Sequence, residues 1–160
     1  MSEKAKSPKN ILKTLITIHY GYSVAVLAFA TFSFLISDDP IMSFNDSDDL
    51  FLYLAPLFAV GGISTSVFLF KTQLKRIYEK ETLEEKLIAY QSSHIIRIAL
   101  IEGPAFLSIV IFMISNNLFY LIIALVLLAY LISLRPTSDR VKQDLNLNFQ
   151  QEKEFRKTIQ

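Results

Sequence analysis

The fold is decided by long apolar stretches, and the clearest of these, residues 118–134, LFYLIIALVLLAYLISL, carries no charged side chain. An amphipathic helix of a soluble protein shows polar residues on its outer face at every turn, whereas this stretch is apolar on all sides. Residues 15–36, 50–70 and 95–114 form similar stretches, each near the ~20 residues that a helix needs to cross a bilayer. Backbone in lipid must be helical or form a closed barrel, and the alternation of barrel strands is missing. The sequence therefore predicts an all-α transmembrane protein.

The charged residues are sorted between the connectors of these four stretches. Between Ser37 and Asp49 there are five Asp and no Lys or Arg. Of the 16 basic residues, 15 lie in the N-terminal segment, in the connector between Lys71 and Lys86, or after residue 134. The positive-inside rule therefore predicts that both termini and the middle connector are cytoplasmic. The expected fold is a four-helix bundle of two antiparallel hairpins in the cell (inner) membrane.

This interpretation divides the chain into three regions. They are a basic cytoplasmic N-terminal segment (1–14), a transmembrane domain (15–134) and a cytoplasmic tail (135–160). Within the transmembrane domain we expect helices at about 15–36, 50–70, 95–114 and 118–134.

The middle connector and the tail, both predicted to be cytoplasmic, are polar but carry sequence signals for helices. The middle connector has Leu74, Ile77 and Tyr78 at helical spacing, so we expect it to extend the second and third helices into water. In the tail, Thr137 or Ser138 can cap a short helix. Beyond that helix the pattern does not decide between helix and coil, and it favours a segment at the membrane interface over a domain.

Several classes of function are disfavoured by what the sequence lacks. The chain has no Cys, which excludes disulfides and thiolate sites. Its only histidines, His19 and His94, are too few for a metal or haem site and are interpreted as interfacial hydrogen-bonding residues. No Ser-His-Asp set, pair of acids or phosphate loop occurs in the membrane segments, and the mixed-charge connector is unlike a nucleic-acid patch. We therefore expect no enzymatic activity, no metal or other cofactor and no nucleic-acid partner.

Glu102 is the least expected residue of the membrane segments. It lies roughly 10 Å inside the third helix by helix rise, where an ionisable group costs a few kcal/mol. Arg97 is nearer the boundary, and its long side chain can reach the headgroups. Gly103 and Pro104 follow Glu102, and Pro104 leaves the Leu100 carbonyl without its helical donor. A kink of the third helix is therefore predicted.

The candidate site is a polar cluster in the cytoplasmic half of the bundle. Three roles for Glu102 stay open: a structural carboxyl that fixes helix register, a reversible proton or cation site, and a contact to a ligand or lipid. The candidate partners of Glu102, by their depth in the other helices, are Arg97, His19, Tyr22, Ser64 and Thr65.

At these residues the chain resembles a known family. Residues 71–114, with the helix IIRIALIEGPAFLSIVIFMIS, look like the helical hairpin of the ring-forming subunit c of rotary ATP synthases. That family carries an ion-binding carboxylate in an Ala-x-x-Glu-Ala setting. The resemblance implies that Glu102 takes this place, with Ala99 before it and Gly103 after it. As a whole, through Arg135-Pro136-Thr137, the chain is also similar to small bacterial proteins with four membrane helices, a resemblance that implies no activity.

Two functions follow as expectations. The first is a non-catalytic integral membrane protein that organises membrane partners, with the lipid bilayer, other membrane proteins or further copies of the chain as its partners. The alternative is proton or cation binding and translocation through Glu102, as in the proteolipids.

Overall fold

The computed structural model describes residues 8–44 and 49–159, which are almost entirely helical. The first half of the predicted basic N-terminal segment, residues 1–7, and two of the Asp in the acidic loop, Asp46 and Asp48, lie outside the described residues. The prediction of an all-helical protein is confirmed for the rest. Its six helices are α1 (Pro8–Leu35), α2 (Phe51–Tyr78), α3 (Leu83–Ser115), α4 (Leu118–Ser133), α5 (Ser138–Leu145) and α6 (Phe149–Ile159).

Three of these helices, α1, α2 and α3, are long and apolar enough to cross a membrane. Helix α4 has 16 residues, about 24 Å at 1.5 Å per residue, against ~30 Å of hydrocarbon. Together with α5 it forms a pair bent by 78°, which could count as a fourth span. By length and composition, the described residues therefore provide three candidate spans, or four with the bent pair.

A first apolar core, here called the bundle core, lies between α1, α2, α3 and α4. Helix α3 is central, because it packs against each of the other three. The outer surface of these helices is apolar as well: Leu57 is 66% exposed and Phe68 is 69% exposed. A surface of this kind is stable in lipid rather than in water. Buried members of the bundle core include Val26, Ala30, Ala55, Ala59, Ile98, Ile101, Ala105, Ile109, Phe112, Tyr120, Ala124, Leu127 and Leu131.

A second apolar core, here called the tail core, lies at one end of the bundle. It joins the first turns of α1, the end of α2 and the start of α3 to α5 and α6. The sequence-based interpretation of the tail as an interfacial segment did not include this packing. The few apolar residues of the tail pack against residues that are far away in the sequence. The buried members are Ile11, Leu12, Leu15, Phe70, Leu74, Ile77, Leu83, Leu87, Tyr90, Val141, Leu145 and Phe155.

Side-chain caps determine where the helices of this region begin. Thr82 and Glu85 form a capping box at the start of α3, as their sequence spacing allows. Asn148 and Gln151 exchange the same pair of bonds at the start of α6, at 3.2 and 2.9 Å. The Gln151 amide also donates to the Glu81 carbonyl at 2.8 Å, so α6 is attached to the turn between α2 and α3.

The opposite end of the bundle, here called the acidic end, is formed by the loop after α1 and the turn between α3 and α4. The Ile41 amide donates to the Asn116 carbonyl at 2.9 Å, and the Leu118 amide donates to the Ile41 carbonyl at 2.8 Å. Asn117 caps α4 by accepting from the Phe119 amide at 3.1 Å. Helix α4 therefore runs from the acidic end to α5 in the tail core, and the start of α1 lies at the same end as α5 and α6.

Candidate functional site

Glu102 lies on the inner face of α3, where 9% of its surface is exposed. The residues beside it on that face are apolar: Ile98, Ile101 and Ala105 are each at most 1% exposed. Among the described residues, none forms a hydrogen bond or an ion pair with its carboxyl. The burial expected from its depth is therefore present, but the polar surroundings are not.

The Ser/Thr run of α2 does not supply the partners that its depth suggested. Ser64 and Thr65 are exposed on the outer surface of α2, whereas Ser66 is buried and donates to the Ile63 carbonyl at 2.8 Å. Tyr22 is half-buried against the bundle core. Depth along a helix can be counted in the sequence, but the direction of each side chain depends on how the helix is rotated. The structure therefore does not bring Ser64 and Thr65 to Glu102.

The helix around Pro104 is continuous, since α3 runs from Leu83 to Ser115 as one element. A Cβ on Gly62 would lie 2.5 Å from the Leu100 carbonyl oxygen and 2.8 Å from Cγ of Pro104. Gly62 therefore directs a Cα hydrogen at the carbonyl that Pro104 leaves without a helical donor, a weak but favourable contact. Gly103, the other residue of the predicted kink, is exposed and has no neighbour within 4 Å of a built Cβ.

The polar side chains that do meet are the two histidines. His19 on α1 and His94 on α3 are 0% and 1% exposed, and Nε2 of His94 lies 3.3 Å from Nδ1 of His19. The outward nitrogens, Nε2 of His19 and Nδ1 of His94, are buried without partners among the described residues. In a neutral pair one outward nitrogen is a donor and the other an acceptor, whichever ring donates. The sequence-based interpretation of His19 and His94 as interfacial hydrogen-bonding residues did not include a contact between the two rings.

Further contacts connect the histidine pair to the tail. The Tyr90 ring stacks on His94 with 6.0 Å between centroids, and its hydroxyl donates to Oδ2 of Asp144 at 2.8 Å. The Arg97 guanidinium lies 4.3 Å from the centroid of the Phe70 ring. His19, His94, Tyr90, Arg97 and Asp144 are here called the polar layer. It lies where the bundle core, which begins at Ile98 on α3, meets the tail core, to which Tyr90 also belongs.

The chemistry available to this layer is limited. In the described ranges there is no group of three or more His, Cys, Asp or Glu that could hold a metal ion. Among the described residues, no Ser, Thr, Asp or Glu side chain hydrogen-bonds to either imidazole, so neither ring is paired with a side-chain nucleophile. What the arrangement does provide is a set of contacts that joins α1 and α3 to α5.

The predicted site residues thus do not form one cluster. Glu102 is buried without a partner at the bundle core, against which Tyr22 also packs, while His19 and Arg97 belong to the polar layer nearer the tail core. Ser64 and Thr65 lie on the outer surface of α2. The signal that could have found His94 was its position, since His19 and His94 both lie near the start of predicted apolar stretches, 15–36 and 95–114.

Comparison of the chain with models of known families, with curated proteins and with solved structures gives no match.

Proposed function

We propose that this is a non-catalytic protein that crosses the cell (inner) membrane four times, with both termini in the cytoplasm, and organises membrane partners through a folded cytoplasmic unit. That unit is the tail core with the helix segments around it. The observation that carries the proposal is that α5 and α6 pack on extensions of α1, α2 and α3, so the cytoplasmic unit and the spans form one body.

Two observations support four spans rather than three. Helix α4 contributes Tyr120, Ala124, Leu127 and Leu131 to the bundle core and runs the whole way from the acidic end to the tail core. The two ends of the bundle also have opposite charges. The acidic end has Asp residues but no Lys or Arg, because no basic residue occurs in residues 14–70 or 98–134, and nearly all the basic residues belong to the other end. A short helix can be accommodated by local thinning of the bilayer at modest cost.

The organising role follows from what the cytoplasmic unit presents. Its core is formed by large side chains, and its surface is charged with single exposed apolar residues: Tyr78 is 42%, Ile88 45% and Phe149 80% exposed. A unit with a stable shape and no set of catalytic groups among its described residues is suited to binding another protein or a second copy of the chain.

Photo-crosslinking in native membranes tests this proposal. A photoreactive residue is placed at Tyr78, Ile88 or Phe149, and at the lipid-facing Phe68 as a control. We expect discrete protein adducts from the cytoplasmic positions and lipid adducts from Phe68, with adduct masses separating a second copy from another protein. The proposal is wrong if none of the cytoplasmic positions gives a protein adduct.

Proton or cation binding at Glu102 is a second candidate, favoured by one observation: the carboxyl is buried and has no partner among the residues the structure describes. The variant Glu102→Gln separates the two candidates, because Gln has nearly the same shape but cannot release a proton. Under the first proposal, folding and crosslinked partners stay unchanged. Under the second, carbodiimide labelling and ion flux in proteoliposomes are lost.

A further inference from the structure

Glu102 lies at the border between the buried and the exposed side of α3. Its neighbours one turn away on one side, Ile98 and Ala105, have 0% and 1% of their surface exposed. On the other side the neighbours one turn away are Ala99, which is exposed, and Phe106, which is half-buried. Residues three and four positions apart are adjacent on a helix. The side chain therefore lies where the bundle core meets the outer surface of α3.

The carboxyl of Glu102 reaches that outer surface without a partner. In the part of the chain that the structure describes, it forms no hydrogen bond and no ion pair. The polar atoms there that are both unbonded and fully enclosed belong to other side chains, such as His19 and Ser33, and neither carboxyl oxygen of Glu102 is among them. The residue as a whole is only 9% exposed. A small opening at the surface of α3 therefore leads to an unbonded carboxyl group.

The lipid around this opening offers the carboxyl no hydrogen-bonding partner. By helix rise, Glu102 lies roughly 10 Å inside the predicted span 95–114, at the depth of the acyl chains. An ionised carboxylate is costly in hydrocarbon, so the neutral acid is the stable form there. The neutral acid has an O–H donor and a carbonyl acceptor, and leaving both unbonded costs free energy. A second protein surface within the membrane can satisfy both.

The outer surface of α3 beside Glu102 allows another helix to approach closely. Ala99 and Gly103 are exposed one turn apart, and nothing lies within 4 Å of a Cβ built on Gly103. Larger apolar side chains flank them at Ile96 and Leu107, which are 42% and 36% exposed. Small residues four positions apart let two helix backbones come close in lipid. A group on the neighbouring helix can then reach the Glu102 carboxyl.

A second copy of the chain provides the group that fits. One neutral carboxyl complements another, because the O–H of each can donate to the carbonyl oxygen of the other. A two-fold axis beside Ala99 brings the same residue of both copies together. A basic residue of a different protein would instead form an ion pair in hydrocarbon, where desolvation of both charges is costly. We propose that the chain forms a parallel dimer through this face of α3, with reciprocal hydrogen bonds between the two Glu102 carboxyls.

The dimer deepens the proposed function, because it makes a second copy of the chain one of the membrane partners. It rests on that proposal in one respect, the crossing of the bilayer by α3. It also gives the Glu102 carboxyl a structural role, which requires a donor and an acceptor but no exchange of protons.

Disulfide crosslinking in native membranes tests the dimer. Ala99→Cys places a thiol on the proposed face of α3, and Thr65→Cys places one on the outer surface of α2 as a control. The two positions lie at nearly the same depth, since Gly62 on α2 lies against Leu100 and Pro104 on α3. With copper phenanthroline as the oxidant, we expect disulfide-linked dimers from Ala99→Cys. Thr65→Cys should give only the background of random collisions.

Variants of Glu102 in the Ala99→Cys background separate paired carboxyls from close packing alone. Glu102→Gln keeps a donor and an acceptor and should form as much dimer as the native residue. Glu102→Met keeps the length of the side chain but removes both groups. It should weaken the association about tenfold, measured as disulfide yield against dilution with lipid in proteoliposomes. Thermal unfolding of both variants in detergent serves as the folding control.

Three results would overturn the proposal. They are equal disulfide yields from Ala99→Cys and Thr65→Cys, a yield that Glu102→Met leaves unchanged, and an equal loss of dimer in Glu102→Gln and Glu102→Met. The proposed function fails in a different assay, when photoreactive residues in the cytoplasmic unit give no protein adduct. The two failures can therefore be told apart.

Discussion

The bundle core and the tail core are built from different residues. The bundle core buries five alanines, at positions 30, 55, 59, 105 and 124, whereas the tail core contains none and is filled by Leu, Ile, Val, Phe and Tyr. In lipid there is no hydrophobic drive to bring helices together, so small residues that allow close backbone approach stabilise the contact. In water, burial of large side chains does so. The difference fits the proposed placement of the bundle core in lipid and of the tail core in water.

The surfaces around the two cores differ in the same way. The helices of the bundle expose large apolar residues such as Leu57 and Phe68, while α5 and α6 expose charged residues around a single buried face. The polar layer marks the change from one region to the other.

The largest expected effect comes from opening the tail core. Phe155 is 0% exposed, so Phe155→Ala should lower the free energy of unfolding of this region by about 3–5 kcal/mol. Hydrogen exchange should then show lost protection in α5 and α6 but not in the middle of α3. Phe149→Ala removes the same side chain from an 80% exposed position and should have almost no effect. Equal effects of the two variants would contradict a separate tail core.

A smaller effect is expected where the bundle core depends on close backbone approach. Gly62→Ala places a methyl group 2.5 Å from the Leu100 carbonyl oxygen, so α2 and α3 must separate. We expect a loss of about 1–3 kcal/mol in stability, measured by thermal unfolding in detergent. Gly61→Ala is the matched control, since nothing lies within 4 Å of its built Cβ, and it should be neutral or stabilising. If both variants unfold alike, the close contact at Pro104 is not important.

The smallest effect concerns the link between the two regions. Tyr90→Phe keeps the ring that stacks on His94 but removes the hydroxyl that bonds to Asp144. The free energy of unfolding should fall by about 1 kcal/mol, with faster hydrogen exchange in α5. In an Asp144→Asn background the same change should have a weaker effect, because the charge-assisted bond is already gone. Independent effects of the two substitutions would show that this bond does not hold the tail.

The helices were predictable because their apolar stretches are read directly from the sequence. The tail core was not, since Val141, Leu145 and Phe155 find their partners in α1, α2 and α3, at least 50 residues away. For the candidate site, depth predicted that Glu102 would be buried. Depth could not show that Ser64 and Thr65 point outward, nor that His19 meets His94, because both depend on helix rotation and packing.

Cysteine accessibility tests the central claim, a bundle with an acidic outer end and a cytoplasmic tail core, most directly. The chain has no Cys, so single variants need no altered background. Met42→Cys lies in the loop after α1 and Lys80→Cys in the turn between α2 and α3, and both positions are exposed. We expect a membrane-impermeant maleimide to label Met42→Cys on intact cells and Lys80→Cys only after permeabilisation. Labelling of both from the same side of the membrane would contradict the account.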